Sequence, residues 1–400
     1  MVRRTPQLPV SLAERLQQAR ARTDAMFRLL APGALYERPI PERHRNIFYL
    51  GHIEAFDWNQ LCRAGLGASS FHPSFDKLFE FGIDPPVGRP AEDRPSDWPA
   101  VEEVLAYNSR VRDAVDDAIL RAPEQLVQVA IEHREMHAET FAYMLHNLPL
   151  KHKLAPDDAA PILTGRHSPE RRAVEIPAGE AVLGRPRGDG FGWDNEFEQL
   201  RLPVAAFSID RDKVTNGQFL EFVGQGAPAP RFWTRREGGW ALRTMFGEVP
   251  LPLDWPVWVT HDQACAYAEW RRASLPTEAQ FHRAAYGTPD GGERDPDSAA
   301  ANCNFLHWDP TPVGAGNSLS PFGVSEMIGN GWEWTSTLFA PFEGFAPFPF
   351  YPGYSANFFD GQHYVMKGAS PRTAGCFLRR SFRNWFRPNY PYVFAGFRCV

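Results

Sequence analysis

The stretch EHREMHAETFAYMLH, residues 132 to 146, places His133 and His137 four positions apart, with Glu139 two further on and His146 at its end. On a helix, side chains at i and i+4 share one face a turn apart, so His133 and His137 can bind one metal ion. Glu139 cannot easily share that bond from i+2, but it can act behind a ligand or bond across to another helix. Two imidazoles are too few, so a third ligand must come from elsewhere. His52, in YLGHIEAFDW, is the best candidate because it sits beside apolar residues in a second helical stretch. Three neutral histidines would leave several coordination positions open, as in a catalytic rather than a closed structural site. The bland alternative is a polar helix that happens to be rich in histidine. His146, nine residues beyond His137, falls near the opposite face and is expected at a solvated helix end. His72, His261, His282, His307 and His363 lack a partner at ligand spacing and read as ordinary polar positions. Cys265, in the apolar run ACAYAEW, reads as a small core residue.

The elements that must carry these ligands are helices. SLAERLQQARARTDAMFRLL opens on Ser11 as N-cap and lines up Leu12, Leu16, Ala19 and Thr23. RNIFYLGHIEAFDWNQLCRAG is a second helix, ending at Gly65. WPAVEEVLAYNSRVRDAVDDAILRA is a third, with Val101, Val104, Leu105, Val111, Val115 and Ile119 expected on its buried side. The fourth, PEQLVQVAIEHREMHAETFAYMLHNLP, starts at Pro123 and is closed by Pro149. Four such helices make a bundle, expected over residues 1–153. Residues 154–172 are polar and broken by proline, as a linker is. From 173 to 400 the pattern changes to short β-type runs, such as AVEIPAGEAVLG and LRLPVAAFSID, one helix at THDQACAYAEWRRA, and long stretches rich in Gly, Pro, Asn and Trp. The expected class is therefore α+β, with a helical bundle followed by a loop-rich domain.

Composition narrows the function classes. Four hundred residues exceed one ordinary core, and 43% hydrophobic with 22% charged residues is a globular balance. A net charge of -6 argues against a nucleic-acid binder, which would normally show a basic face. No apolar run approaches the ~18 residues of a membrane span. The N-terminus lacks the apolar centre of a signal peptide. Five scattered cysteines, at 62, 265, 303, 376 and 399, fit a reducing compartment, so a cytoplasmic protein is expected.

Five motifs in the second half occur in a fixed order: VEIPAGEAVLG, WDNEFEQLRLPVAAFSIDRDKVTNGQFLEFV, ASLPTEAQFHRAA, GVSEMIGNGWEWT and FAGFRCV. Together they closely resemble the formylglycine-generating-enzyme fold, a variant of the C-type-lectin fold, while the first half looks like a DinB-type bundle. The combination, with HIxxF in one helix and HxxxHxE in another, resembles the ergothioneine-synthase family of non-haem iron enzymes. That resemblance implies Fe(II) held by His52, His133 and His137, and a reaction that joins sulfur from cysteine or γ-glutamylcysteine to C2 of the hercynine imidazole using O2. It implies that the second domain completes the active site and supplies a tyrosine as proton donor. FFDGQHYVMKGAS points to Tyr364 for that role, with Tyr351 and Tyr354 as rivals. For hercynine it points to RRSFRNWFRPNYPYVFAGFR, with Arg383, Asn384 and Trp385 foremost and Arg380, Tyr390 and Tyr392 beside them. Trp332 and Trp334, in GNGWEWT, are expected in the core.

Departures from the family pattern bear on the sulfur donor. Members that use γ-glutamylcysteine typically carry glutamine just before the second helix histidine, where it helps hold the hercynine imidazole; here that position is Met136. They also carry an arginine pair that grips the donor's carboxylates. The corresponding region, FEFGIDPPVGRPAEDRPSDWP, offers only Arg89 and Arg94 among prolines and acids. The segments FGIDPPV…DWP and HREMHAETFAYML look more like the fungal ergothioneine synthases and the ovothiol synthases. Those also carry a methyltransferase domain, and no glycine-rich methyltransferase segment is present in this sequence. With these features and the missing arginine pair, the chain most resembles the selenoneine synthases, which join hercynine to selenium from a selenosugar. A DinB-type metal-dependent thiol transferase and a non-catalytic binding module are the remote alternatives. Formylglycine generation is disfavoured, because Cys376 and Cys399 lie outside the motif that holds its paired cysteines.

Overall fold

The computed structural model describes residues 10–80, 91–163, 167–296, 298–316 and 318–400, so Arg89 lies outside the described residues. The chain divides into two compact units, Met1–Ala155 and Pro156–Val400. Among the described residues no helix is long and apolar enough to cross a membrane.

The first unit is a helical bundle. Helix α1 spans Leu12–Phe27 and is capped by Ser11, whose hydroxyl accepts from the Glu14 amide while the Glu14 carboxylate accepts from the Ser11 amide. Helix α2, Asn46–Asp57, runs on through a π-helical turn over Trp58–Ala64 and stays helical through Leu66, past the expected end at Gly65, before Gly67 turns the chain with φ 70°. A short α3, Pro73–Leu78, was not expected; His72 caps it, its ring nitrogen accepting from the Phe75 amide. Helices α4, Val101–Ala118, and α5, Glu124–Asn147, complete the bundle, α5 packing on α1 and α2, and α4 on α2.

Two expectations fail here, for related reasons. Leu105 is 50% exposed, because the buried stripe of α4 runs through Val104, Tyr107, Asn108, Val111 and Val115, and Leu105 is turned off that line. His146 is 2% exposed rather than solvated. Helix α5 is covered almost all round from Leu126 to Asn147, so its helical phase does not separate a wet face from a dry one.

The second unit is built from short strands. Strand β1, Ala173–Ile176, pairs antiparallel with β4, Phe207–Asp210, and β2, Gly179–Leu183, with β3, Leu200–Val204. Strands β5, Trp233–Arg236, β6, Gly239–Arg243, and β7, Glu248–Pro250, form a meander. The remaining sheet has the order β10-β9-β8-β11, with β8 at Gly331–Leu338, β9 at Tyr364–Ala369, β10 at Asn384–Phe386 and β11 at Ala395–Gly396. Three helices, α6 at Asn216–Gly224, α7 at His261–Trp270 and α8 at Glu278–Tyr286, all begin with the same Thr-x-x-Gln capping box, from Thr215, Thr260 and Thr277. The segment read as a linker lies against this unit: Trp255 Nε1 donates to the Ile162 carbonyl at 3.1 Å, and Ser168 and Thr215 hydroxyls meet at 2.7 Å.

The GNGWEWT and GFR motifs prove architectural. Glu333 on β8 takes Lys213 Nζ at 2.6 Å and Arg398 Nε at 2.6 Å, and all three are at most 1% exposed. Such buried charges persist only when matched, and here they tie the chain's last residues to its central strand. Trp332 and Trp334 are core, as expected, at 2% and 0% exposure.

Candidate metal centre

The three histidines converge within the bundle. His52 comes from α2, His133 and His137 from α5, and one ligand atom from each lies within 4.8 Å of the others. His52 Nε2 and His137 Nε2 stand 3.2 Å apart. Two nitrogens at adjacent positions around one ion, each at about 2.1 Å, stand about 3.0–3.4 Å apart.

Packing sets the rotamers. The His133 ring stacks on Phe56 with centroids 3.4 Å apart, and the His52 ring stacks on Phe48 at 4.9 Å. His52 Nδ1 lies 2.8 Å from the Phe79 carbonyl oxygen. A carbonyl can only accept, so the proton sits on Nδ1 and the Nε2 lone pair faces the other histidines. Phe79 reaches that place by lying on Gly51: a Cβ there would fall 2.5 Å from its ring. Only glycine leaves room for this approach.

A buried ion network fixes α2 against α5 beside the ligands. Arg134, the residue after His133, places Nη1 and Nη2 3.0 and 2.9 Å from the two oxygens of Glu54, and Nη2 2.5 Å from Asp57 Oδ2. Arg134, Glu54 and Asp57 are all 0% exposed. Arg112 of α4 joins through Glu54 and then grips Asp24 of α1 with two bonds, at 2.9 and 2.7 Å. Burial would push the Glu54 carboxyl up, but Arg134 and Arg112 outweigh it and hold the group ionised. Asp57 is pushed up by burial and, despite Arg134, by the neighbouring Glu54 charge. One network thus links four helices at the depth of the histidines.

The electrostatics favour metal binding. Burial drives His133 well below the usual histidine range, with the His137, His52 and Arg134 charges adding to it. His137 is driven down likewise by burial, His52, Arg43 and Arg134. Neutral imidazoles are the protonation state a metal needs. Three nitrogen donors suit a divalent transition ion and leave further positions for ligands. The residues present therefore fit a mononuclear metal site.

Residues 15–146 match the profile of the DinB superfamily, and residues 161–400 that of the sulfatase-modifying factor enzyme 1-like domain. The hercynine oxygenase of Mycolicibacterium thermoresistibile is 32% identical, the match covering 88% of this chain and 86% of that one. For the hercynine oxygenase of Mycolicibacterium smegmatis the figures are 34%, 74% and 77%. The chain belongs to the hercynine oxygenase family. Ergothioneine biosynthesis protein 1 of Neurospora crassa is 31% identical over 94% of this chain, which spans 56% of the fungal protein's length.

Within the sulfatase-modifying-factor-like domain of this hercynine oxygenase family member, the other expected site residues occupy different settings. Tyr364 opens β9, its ring stacked on His261 at 3.8 Å. Asn384 and Trp385 are part-exposed on β10, Trp385 stacked on Phe339 at 4.2 Å. Arg383 is 2% exposed; its Nε donates to Glu278 at 3.1 Å and its Nη1 to the Ala340 carbonyl at 2.9 Å. Tyr351 and Tyr354 are both 7% exposed, Tyr354 stacked on Trp193 at 3.9 Å. Met136, in the helical unit, is part-exposed on α5 immediately before His137. Arg94 leads into a short turn, where its amide donates to the Asp97 carboxylate at 2.7 Å.

Two arrangements have no counterpart in the sequence reading. The Phe79 carbonyl at His52 is a backbone group placed by packing, which residue types do not announce. The Cys265 thiol, read as core, is part-buried and lies 3.6 Å from His261 Nδ1, one helical turn earlier. The HxxxC spacing of that pair is readable once α7 is known.

Proposed function

We propose that this chain is an O2-dependent non-haem iron enzyme that joins a chalcogen donor to C2 of the hercynine imidazole. The observation that carries the reading is the His52–His133–His137 cluster in a chain of the hercynine oxygenase family. His52, His133 and His137 would hold Fe(II), and iron when bound supplies the activation of O2 for the oxidative coupling. The chain's own share is positional. Phe79 keeps the His52 proton on Nδ1, and the Arg134–Glu54 network keeps α2 and α5 in register. A site that holds imidazole and donor together converts an encounter into a local event.

With a thiol donor the reaction balances as hercynine plus thiol plus O2 giving the C2 sulfoxide and water. Forming C–S removes two electrons, oxidising sulfur removes two more, and O2 takes all four. Sulfur is the leading donor, because relatives carry the names hercynine oxygenase and ergothioneine biosynthesis protein. Tyr364 is proposed as proton donor, and Asn384 and Trp385 as hercynine contacts. Arg383, committed to Glu278 and Ala340, is proposed to position β10 rather than to grip substrate. Selenium from a selenosugar is the second reading, favoured by Met136 at the position where the pattern of γ-glutamylcysteine users has glutamine.

The test is O2 uptake and product identification with Fe(II) and hercynine, offering cysteine, γ-glutamylcysteine and a selenosugar in parallel. Hercynine-dependent uptake with a C2-linked product supports the reading, and the donor that reacts decides between sulfur and selenium. No uptake with any donor, or Fe(II) binding by His133→Ala equal to wild type, would remove it.

A further inference from the structure

We propose that Lys367 is a positioning residue for hercynine, because it fixes the turn that delivers Asn384 and Trp385; this rests on the reading that those two residues contact hercynine. Lys367 lies on β9 and is 1% exposed. The backbone ladder between β9 and β10 begins with Asn384 opposite Met366 and Trp385 opposite Val365. Ahead of Asn384 a side chain takes the place of the ladder. Lys367 Nζ donates to the Arg380 carbonyl at 2.8 Å and to the Phe382 carbonyl at 2.6 Å. Buried carbonyls need donors, and an ammonium offers three.

Glu278, the first residue of α8, completes the cluster. Its Oε1 stands 3.9 Å from Lys367 Nζ and accepts from Arg383 Nε at 3.1 Å, while its amide donates to Thr337 Oγ1 at 2.8 Å. Lys367, Glu278 and Arg383 are all at most 2% exposed, and charges so buried persist only when matched. Burial pulls the Lys367 ammonium down to about 8 against the Glu278 charge, so it stays protonated at neutral pH. A second line runs through packing. The Arg383 guanidinium lies 5.0 Å from the centre of the Phe339 ring, and that ring stacks on Trp385 at 4.2 Å. The run from Arg380 to Arg383 is therefore held at two carbonyls and one guanidinium, and the two residues that follow take their place from it. Methionine matches lysine in length but donates nothing, so Lys367→Met releases the turn without emptying the space.

The test is the hercynine affinity of the full chain, measured by calorimetry with no donor present, so that nothing turns over. Lys367→Met should weaken hercynine binding about tenfold or more, as a small displacement of a positioned group does. In the assay the KM for hercynine should rise while kcat changes by less than about twofold. Fe(II) affinity should stay at the wild-type value, since the histidines proposed to hold iron belong to the helical unit. Lys213→Met, which breaks the buried Lys213–Glu333 pair, is the control: it should lower stability and leave hercynine affinity unchanged. Glu278→Gln keeps the shape and loses the charge, and should weaken hercynine about threefold, so the outcome does not hang on one variant folding. Unchanged affinity in folded Lys367→Met or in Glu278→Gln, or an equal loss in Lys213→Met, would overturn the proposal. Hercynine binding that neither Asn384→Ala nor Trp385→Ala weakens would instead strike the contact reading beneath it.

Discussion

Phe79 governs His52 through two contacts at once. Its carbonyl oxygen accepts from His52 Nδ1 at 2.8 Å, while its ring lies on Gly51, the residue before that histidine. The backbone group that fixes the ligand's tautomer is therefore held by the absence of a side chain next door. Gly51→Ala would put a Cβ 2.5 Å from the ring and force Phe79 to move. We expect the metal affinity to fall about 10- to 100-fold, as when a partner behind a ligand is lost. Overpacking should cost about 1–3 kcal/mol of stability. A Co(II) or Fe(II) titration of the folded variant checks this, and an affinity equal to wild type would show that the Phe79 carbonyl does not tune the site.

Arg134 bears on the ligands through the helices rather than by contact. Arg134→Met would leave Glu54 and Asp57 buried without their shared cation, at a cost of about 3–5 kcal/mol. The expected sign is a lower urea midpoint for the full chain, together with weaker metal binding because α2 and α5 lose their shared register. Arg134→Lys should recover only part, since an ammonium cannot span both Glu54 oxygens as the guanidinium does. Full recovery by lysine would mean that charge alone matters and the forked geometry does not.

How much of this could be read from residues depended on whether one element carried the signal. The His133–His137 pair lies on one helix and its spacing declares it. His52 needed a second helix to be recognised, yet the apolar stretch around it allowed that. The Phe79 carbonyl was beyond reach, because the distance from α3 to α2 is set by packing on Gly51 and not by any local pattern. His146 was misplaced because a helix covered almost all round has no wet face for the period to find. Helices α6 and α8 were missed although Thr215–Gln218 and Thr277–Gln280 spell the same capping box as Thr260–Gln263, which opens the one helix expected in this half. Their apolar stripes were too short to stand out among the prolines and glycines around them. The sheet around β8 was still less legible, because β11 is two residues long and pairs parallel to β8 across a long stretch of sequence.

Asp93 provides a titration that is separable from the metal site. Burial would raise its carboxyl, but bonds from Trp98, Arg45 and Arg38 outweigh that and bring it down to about 2 from 3.8. A depressed acid stabilises the fold fully above its unfolded value and loses that contribution as pH falls through its folded value. After solvent screening of this part-exposed group the increment is on the order of 1 kcal/mol. Wild type should therefore be more stable than Asp93→Asn at neutral pH, and the gap should close between about pH 4 and pH 2. Urea midpoints measured at several pH values test it. A gap that stays constant across that window would assign the stabilisation to shape rather than to charge.

Met136 is the position where donor choice can be tested without disturbing the ligands. It is part-exposed on α5 beside His137, and glutamine matches it in length and flexibility, so Met136→Gln should leave stability and Fe(II) affinity near wild type. Glutamine adds an amide that can hydrogen-bond an imidazole nitrogen, and one such bond contributes about 1 kcal/mol. We therefore expect the variant to bind hercynine several-fold more tightly and to shift its donor preference toward thiols. Competition between a selenosugar and γ-glutamylcysteine, with product ratios read by mass spectrometry, measures the second effect. Tighter hercynine binding with no change in donor ratio would confine Met136 to the imidazole and place donor recognition elsewhere. If neither quantity moved, Met136 would be only packing, and the selenium reading would lose the residue that favours it.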